Sequence, residues 1–209
     1  MSKKKIAGII VCIVIVVAIV GVVLNRPTPT PYKPEFTEFT TYTDEEGLFS
    51  ISYPSDWALA LEQIEELERL TNDVLNSIVS DIPLEEVCTL FLAGLPAETG
   101  FNLNVNIVVE PRPEGWTLDE VVAAEIRGTK EVVSDYRELS RVKTIIYYRT
   151  AVILEFQAEV EGAGTFHFLM MFYFVDNTIW IVGCTTSPDE FGKWEDVFDY
   201  IVRSLRVLR

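Results

Sequence analysis

Residues 150–175 read TAVILEFQAEVEGAGTFHFLMMFYFV, and the alternation within them decides the fold class. Val152, Leu154, Phe156 and Ala158 occupy every second position before the turn Glu161-Gly162-Ala163-Gly164. Phe166, Phe168, Met170, Phe172 and Phe174 do so after it. Successive strand residues face opposite sides, so two strands joined at that turn lay these nine side chains on one apolar face. Glu155, Gln157, Glu159, Thr165 and His167 then fall on the other, giving a sheet with one apolar and one polar side. Residues 141–148 precede this pair as a further strand, and 178–185 come after it across the two-residue connection Asp176-Asn177. The reading is a run of antiparallel strands.

Farther out, the period changes between two and three-to-four. Residues 36–42 and 48–53 are β-rich runs around Asp44-Glu45-Glu46-Gly47, a hairpin signal. Leu61, Ile64, Leu67, Leu70, Val74, Leu75 and Ile78 then recur at helical spacing, with Glu62, Glu65, Glu66, Glu68 and Asp73 on a solvated acidic face. Strands are expected over 87–92 and 101–109, where Phe101, Leu103, Val105, Ile107 and Val109 alternate toward a core. Asn102, Asn104 and Asn106 share the opposite face. Thr117-Leu118-Asp119-Glu120 is a capping box opening a helix that runs through Val132 and Val133, with Gly128 as a point where it can break. Ser187-Pro188-Asp189-Glu190 supplies an N-cap, a proline at the first helical position and a capping glutamate for a terminal helix. The fold class is α+β, an antiparallel β-sheet packed between helices.

The first 35 residues differ from the rest. From 6 to 24 every residue is Ile, Val, Ala, Gly, Leu or Cys, and 19 residues at 1.5 Å each just cross a ~30 Å hydrocarbon layer. A cleaved signal peptide competes with this reading, but its apolar region is usually about 7–15 residues long and ends in small residues that Val20-Gly21-Val22-Val23-Leu24 does not supply. An uncleaved anchor is favoured, with Cys12 as one of its apolar residues. Lys3, Lys4 and Lys5 keep the N-terminus cytoplasmic and place the chain beyond Arg26 across the membrane. Residues 27–34, PTPTPYKP, carry four prolines and read as a polyproline spacer of roughly 25 Å. The expected organisation is a basic stub (1–5), a transmembrane anchor (6–24), a Pro-rich linker (25–35) and one extracytoplasmic domain (36–209) in a cell membrane.

Length and charge bound the function. A chain of 209 residues is long enough for one ordinary core plus the extra segment. Subtracting the +4 of Lys3, Lys4, Lys5 and Arg26 from the net charge of −15 leaves −19 on residues 27–209, a field that repels phosphate backbones and argues against nucleic-acid binding. His167 is the single histidine, so a His-rich metal site is excluded. The chain has no Gly-x-Ser-x-Gly elbow, phosphate-binding glycine loop, Cys-x-x-Cys pair or calcium loop. No catalytic residue, metal ligand or cofactor is assigned. Cys88 and Cys184, both in expected strands, either join in an oxidising compartment or stay buried thiols.

Three segments resemble one family. Gly47-Leu48-Phe49-Ser50-Ile51-Ser52-Tyr53-Pro54-Ser55-Asp56-Trp57 resembles the opening of PsbP-like domains, where an aromatic strand runs into a Tyr-Pro-x-x-Trp turn. Phe101-Asn102-Leu103-Asn104-Val105-Asn106-Ile107 is similar to that family's Asn-rich strand. Gly183-Cys184-Thr185-Thr186-Ser187 and the helix through Ser204-Leu205 look like its ending. The resemblance covers most of residues 39–207 and implies an α/β/α sandwich around an antiparallel sheet. Members include extrinsic proteins of the photosynthetic oxygen-evolving complex and many secreted or membrane-tethered bacterial proteins. No single catalytic site defines them.

These readings support two functional expectations. One is a non-enzymatic, membrane-tethered domain that binds a protein or envelope component through its acidic helix faces or sheet edge. The alternative is a small-molecule or cation-binding module using a polar face around Asn102, Asn104, Asn106 and His167. An envelope hydrolase is the weakest reading, since no nucleophile and base stand out.

Overall fold

Strand pairing in a computed structural model of the chain, described for residues 38–59, 88–96, 102–160 and 163–208, matches the alternation closely. β1 (Phe39–Thr43) and β2 (Phe49–Pro54) form the opening hairpin, followed by β3 (Ala58–Leu59), β4 (Cys88–Pro96) and β5 (Asn102–Pro111). α1 (Leu118–Val132) leads into β6 (Ser134–Ile146), β7 (Arg149–Val160), β8 (Gly164–Val175) and β9 (Thr178–Thr186). α2 (Pro188–Ser204) and β10 (Arg206–Val207) end the described chain. Seven strands make one antiparallel sheet in the order β3-β4-β5-β9-β8-β7-β6, and β1-β2-β10 make a second. The expected helix over 61–79, the anchor at 6–24 and its linker lie outside the described residues. Among those described, no helix is long and apolar enough to cross a membrane.

The central register is the one the alternation implies: Val152 stands opposite Phe172, Leu154 opposite Met170, Phe156 opposite Phe168 and Ala158 opposite Phe166. The expected polar face needs correction. Only its end near the 161–164 turn is polar. Farther along, the same face carries Ala151, Ile153, Leu169, Met171 and Tyr173, which join Phe49, Ile51, Trp57, Val105, Trp194 and Phe198 in one buried cluster. α2 and the β1–β2 hairpin close over this side. α1 covers part of the other, where Lys130 sits over the Tyr136 ring and Tyr136 stacks on Phe156. A strand covered on both faces gains by being apolar throughout, and β8 is buried along most of its length.

Three local expectations also change, and one left open is decided. α1 runs unbroken through Gly128, since one helical glycine costs about 1 kcal/mol, less than burying Val121, Val122 and Ile126 contributes. The helix stops at Val132, Val133 becomes its extended cap, and β6 starts at Ser134, seven residues before the expected strand. At α2, Ser187 is the N-cap but makes no side-chain capping bond. The Glu190 carboxylate instead accepts from Lys193 Nζ at 3.0 Å, which replaces the expected capping role. Cys184 is a buried free thiol. β5 lies between β4 and β9, and Cys88 stands opposite Val108 while Cys184 stands opposite Val105, so their backbones are two strand spacings across and three residues along, roughly 14 Å apart and beyond the reach of a disulfide.

Candidate functional site

The sheet separates the residues that the sequence suggested as one site. Asn104 pairs with Thr185 across β5 and β9, and Thr185 pairs with Phe168 across β9 and β8. Cross-strand partners share a face, so Asn104 and Asn106 lie on the Phe168 side and His167, one residue away, lies on the other. Asn102 opens β5 opposite Pro96. Asn104 and Asn106 therefore do not share a face with His167: the register across the intervening β9 decided which faces coincide.

His167 is committed on its own side. Gln157 Nε2 lies 3.1 Å from its Nδ1, and its Nε2 lies 2.9 Å from Glu155 Oε1. With the Gln157 amide donating to Nδ1, the proton sits on Nε2 and is donated to the Glu155 carboxylate. The imidazole stacks on Phe191 of α2 with ring centroids 3.5 Å apart and planes 3° from parallel. Burial pushes its pKa below the ordinary 6.5, while the Glu155 hydrogen bond and charge oppose that shift. Both nitrogens are occupied, so His167 acts as a tie between β7, β8 and α2. Among the described residues, no group of three or more His, Cys, Asp or Glu side chains is placed to hold a metal.

Three of the described glutamates are buried; Glu190 is paired with Lys193, and the other two stand out by desolvation rather than by motif. Glu110 on β5 is buried and pushed up to about 7 by desolvation. Glu125 on α1 is driven well above its ordinary range, first by burial and then by the charge of Glu110. Sequence reasoning passed over both among 32 acids, because burial is a tertiary property.

A cleft of about 530 Å³ opens at the second sheet, lined by Thr41, Ser52, Tyr147, Tyr200, Arg203 and Arg206, with Asp196 and Asp199 also on its wall. Its walls arise from local periodicity. Asp196, Asp199, Tyr200 and Arg203 recur at three and four along the outer side of α2, while Thr41 and Ser52 stand opposite each other on β1 and β2, their hydroxyls 2.9 Å apart. Ser204 Oγ accepts from Ser52 N at 2.9 Å and donates to Ile201 O at 2.7 Å, which locks the end of α2 onto β2. Arg203 Nε donates to Asp199, and the Arg206 guanidinium lies 4.7 Å above the Tyr147 ring. The polar cleft thus has an aromatic rim with two arginines balanced by two aspartates.

That rim continues onto the β6–β7 hairpin. Its turn is Tyr147-Tyr148, both left-handed with φ of 45° and 65°, so the strand expected over 141–148 ends two residues early at Ile146. Two-residue hairpin turns of this hand favour Asn-Gly, because side chains with a Cβ are strained there. Tyr148 is fully exposed and Ile145 is 72% exposed, with Tyr147 and Tyr200 exposed beside them. Tyrosine is a strand former, so the turn sends no breaker signal in the sequence.

No family model matches the chain, and no curated sequence does. Solved structures share its architecture. Cyanobacterial PsbP from Synechocystis sp. PCC 6803 matches with a TM-score of 0.55 at 12% identity, over 87% of this chain and 99% of that one. The fold is PsbP-like. The PsbP-like domain also matches Mog1p, the Ran-binding protein of Saccharomyces cerevisiae, at TM-score 0.54 and 9% identity, over 82% of this chain and 96% of that one. LpqN of Mycobacterium tuberculosis, described as involved in cell envelope biogenesis, matches at 0.53 and 10% identity, over 80% and 89%. At these identities the likeness concerns the fold alone.

Proposed function

We propose that this PsbP-like domain is a non-enzymatic binding module, tethered to a cell membrane by residues 6–24 with its domain outside the cytoplasm, and that it takes a protein partner at the Tyr147–Tyr148 tip and adjoining cleft. The observation that carries the reading is the tip: a left-handed turn built from two tyrosines, one fully in solvent, beside a guanidinium. Tyr and Arg dominate the energetics of protein interfaces, and strain held at an exposed position is characteristic of recognition sites. The roles of Mog1p in Ran binding and LpqN in envelope biogenesis are compatible with such a module. The lysines before the apolar segment support the orientation.

The test places a photo-crosslinking side chain at 148 in the full-length chain in its own membrane, with exposed Asp176 as the control position. A discrete protein adduct at 148 and none at 176 is expected. Replacing Tyr147 and Tyr148 by Asn and Gly should remove the partner's affinity by about 30-fold or more while raising thermal stability, because it relieves the turn. Equal labelling at 148 and 176 would refute the surface. Protease added to spheroplasts should digest the domain, and protection would refute the orientation.

A further inference from the structure

The floor of the cleft at the second sheet is built from hydroxyls. Ser50 and Ser52 alternate with buried Phe49 and Ile51, so both face away from the core. Thr41 stands opposite Ser52 and Arg206 opposite Ser50, and cross-strand partners share a face. Three strands thus lay these three hydroxyls and one guanidinium along the floor of an open space of about 530 Å³. That volume lies within the ~300–1,000 Å³ of small-molecule sites.

The lining groups keep bonding capacity toward that space. Thr41 Oγ1 and Ser52 Oγ lie 2.9 Å apart, so one donates to the other and the second hydroxyl proton remains available, with acceptor lone pairs on both. Arg203 and Asp199 pair with each other along α2 at 2.7 Å. Asp196 and Arg206 are then the lining charges with no ion pair among the described residues, one of each sign. Two rings are held at the edges, Tyr200 against Phe39 with centroids 4.2 Å apart and Tyr147 beneath Arg206, and both stay about half exposed.

This chemistry selects a ligand. Two carboxylates balance two guanidinium groups and the domain as a whole is strongly acidic, so an anion gains little here. An apolar ligand would strip water from hydroxyls and charges without replacing their hydrogen bonds. A neutral ring bearing several hydroxyls does replace them. Adjacent hydroxyls accept from the Arg206 fork and donate to the Asp196 carboxylate, others meet Ser50, Ser52 and Thr41, and the C–H face of the ring lies on tyrosine.

We propose that the cleft binds a saccharide, one or two uncharged pyranose rings, either free or at the end of a larger glycan. This goes beyond the protein partner: the tyrosine tip carries that reading, the hydroxyl floor carries this one, and each has its own variants.

The test applies the full-length chain, in a polyoxyethylene detergent that has no sugar headgroup, to an array of defined microbial and animal glycans. The free disaccharide matching the terminal units of the strongest signal is then titrated by calorimetry. Neutral glycans with a shared terminal unit should be retained, and the disaccharide should bind with a Kd below about 1 mM. Asp196→Ala and Arg206→Ala, at exposed positions, should each weaken it by about tenfold, the change expected from a lost charged hydrogen bond. Asp176→Ala and Tyr148→Ser, outside the cleft, should leave it unchanged. Equal affinity for glycan and disaccharide identifies the small sugar as sufficient, and a far tighter glycan identifies the larger chain as the source. No retained glycan, retention of sulfated or uronic-acid glycans alone, or undiminished binding by both Asp196→Ala and Arg206→Ala would overturn the proposal. Sugar binding without a protein adduct at 148 would defeat the protein reading alone.

Discussion

Glu110 shows how a single side chain can make stability depend on pH. Burial raises its folded-state pKa to about 7 from the ordinary 4.5. Below 4.5 both folded and unfolded chains hold the proton and the contribution of this group is complete. Between 4.5 and 7 the unfolded chain has released it and the folded chain has not, so stability falls as pH rises through that window. Glu110→Gln removes this carboxyl's share of the slope and leaves that of buried Glu125. Urea denaturation should find the variant close to the parent at pH 4 and more stable at pH 8 by on the order of 3 kcal/mol. His167 contributes in the opposite sense, since its lowered pKa makes stability fall on acidification, and the difference between parent and variant isolates Glu110 from it. An unchanged slope in Glu110→Gln would show that the carboxyl is not desolvated.

The two described helices begin with similar sequence signals and different chemistry. At α1, Thr117 Oγ1 accepts from Glu120 N at 3.3 Å, and the Glu120 carboxylate accepts from Thr117 N at 2.8 Å, a closed capping box. At α2 the matching serine makes no side-chain bond, Pro188 removes one of the donors a cap would serve, and Glu190 is drawn to Lys193. Thr117→Ala should therefore lower stability by about 1 kcal/mol, and Ser187→Ala should leave it within about 0.5 kcal/mol. Chemical denaturation of both variants checks the pair, and equal losses would contradict the difference in caps. α2 is held by its buried side instead, where Phe191, Trp194, Phe198, Ile201 and Val202 enter the core at helical spacing.

Across the whole molecule, the two ends of the domain clasp each other. β10 pairs with β2, Leu208 N donates to Leu48 O at 2.8 Å, and Ser52 N donates to Ser204 Oγ. Trp57 sits inside this clasp, edge-on to Trp194 at 6.0 Å and to Phe198 at 6.5 Å. It links the N-terminal hairpin to the terminal helix. Trp57→Ala should reduce stability by about 3–5 kcal/mol, read as a large fall in melting temperature, and an unchanged melt would contradict the burial.

The sequence by itself determined what depends on neighbours close along the chain. Residues 150–175 specified their own register because a one-residue slip would bury Glu155 and Glu159 in the Phe156–Phe168 layer. The Thr117 cap and the apolar spacing of α2 were legible for the same reason: their partners are three or four residues away. Tertiary structure decided what depends on strands brought together from afar. Only insertion of β9 between β5 and β8 puts His167 and Asn104 on opposite faces, and only closure of α2 and the β1–β2 hairpin over the sheet turns its expected polar side into a second core. The Tyr147-Tyr148 turn was hidden because its residues favour strands, and the pairing of β6 with β7 overrides that preference. Burial of Glu110 and Glu125 has no sequence signature. Desolvation is set by what covers a group, and local sequence does not record what will fold over it.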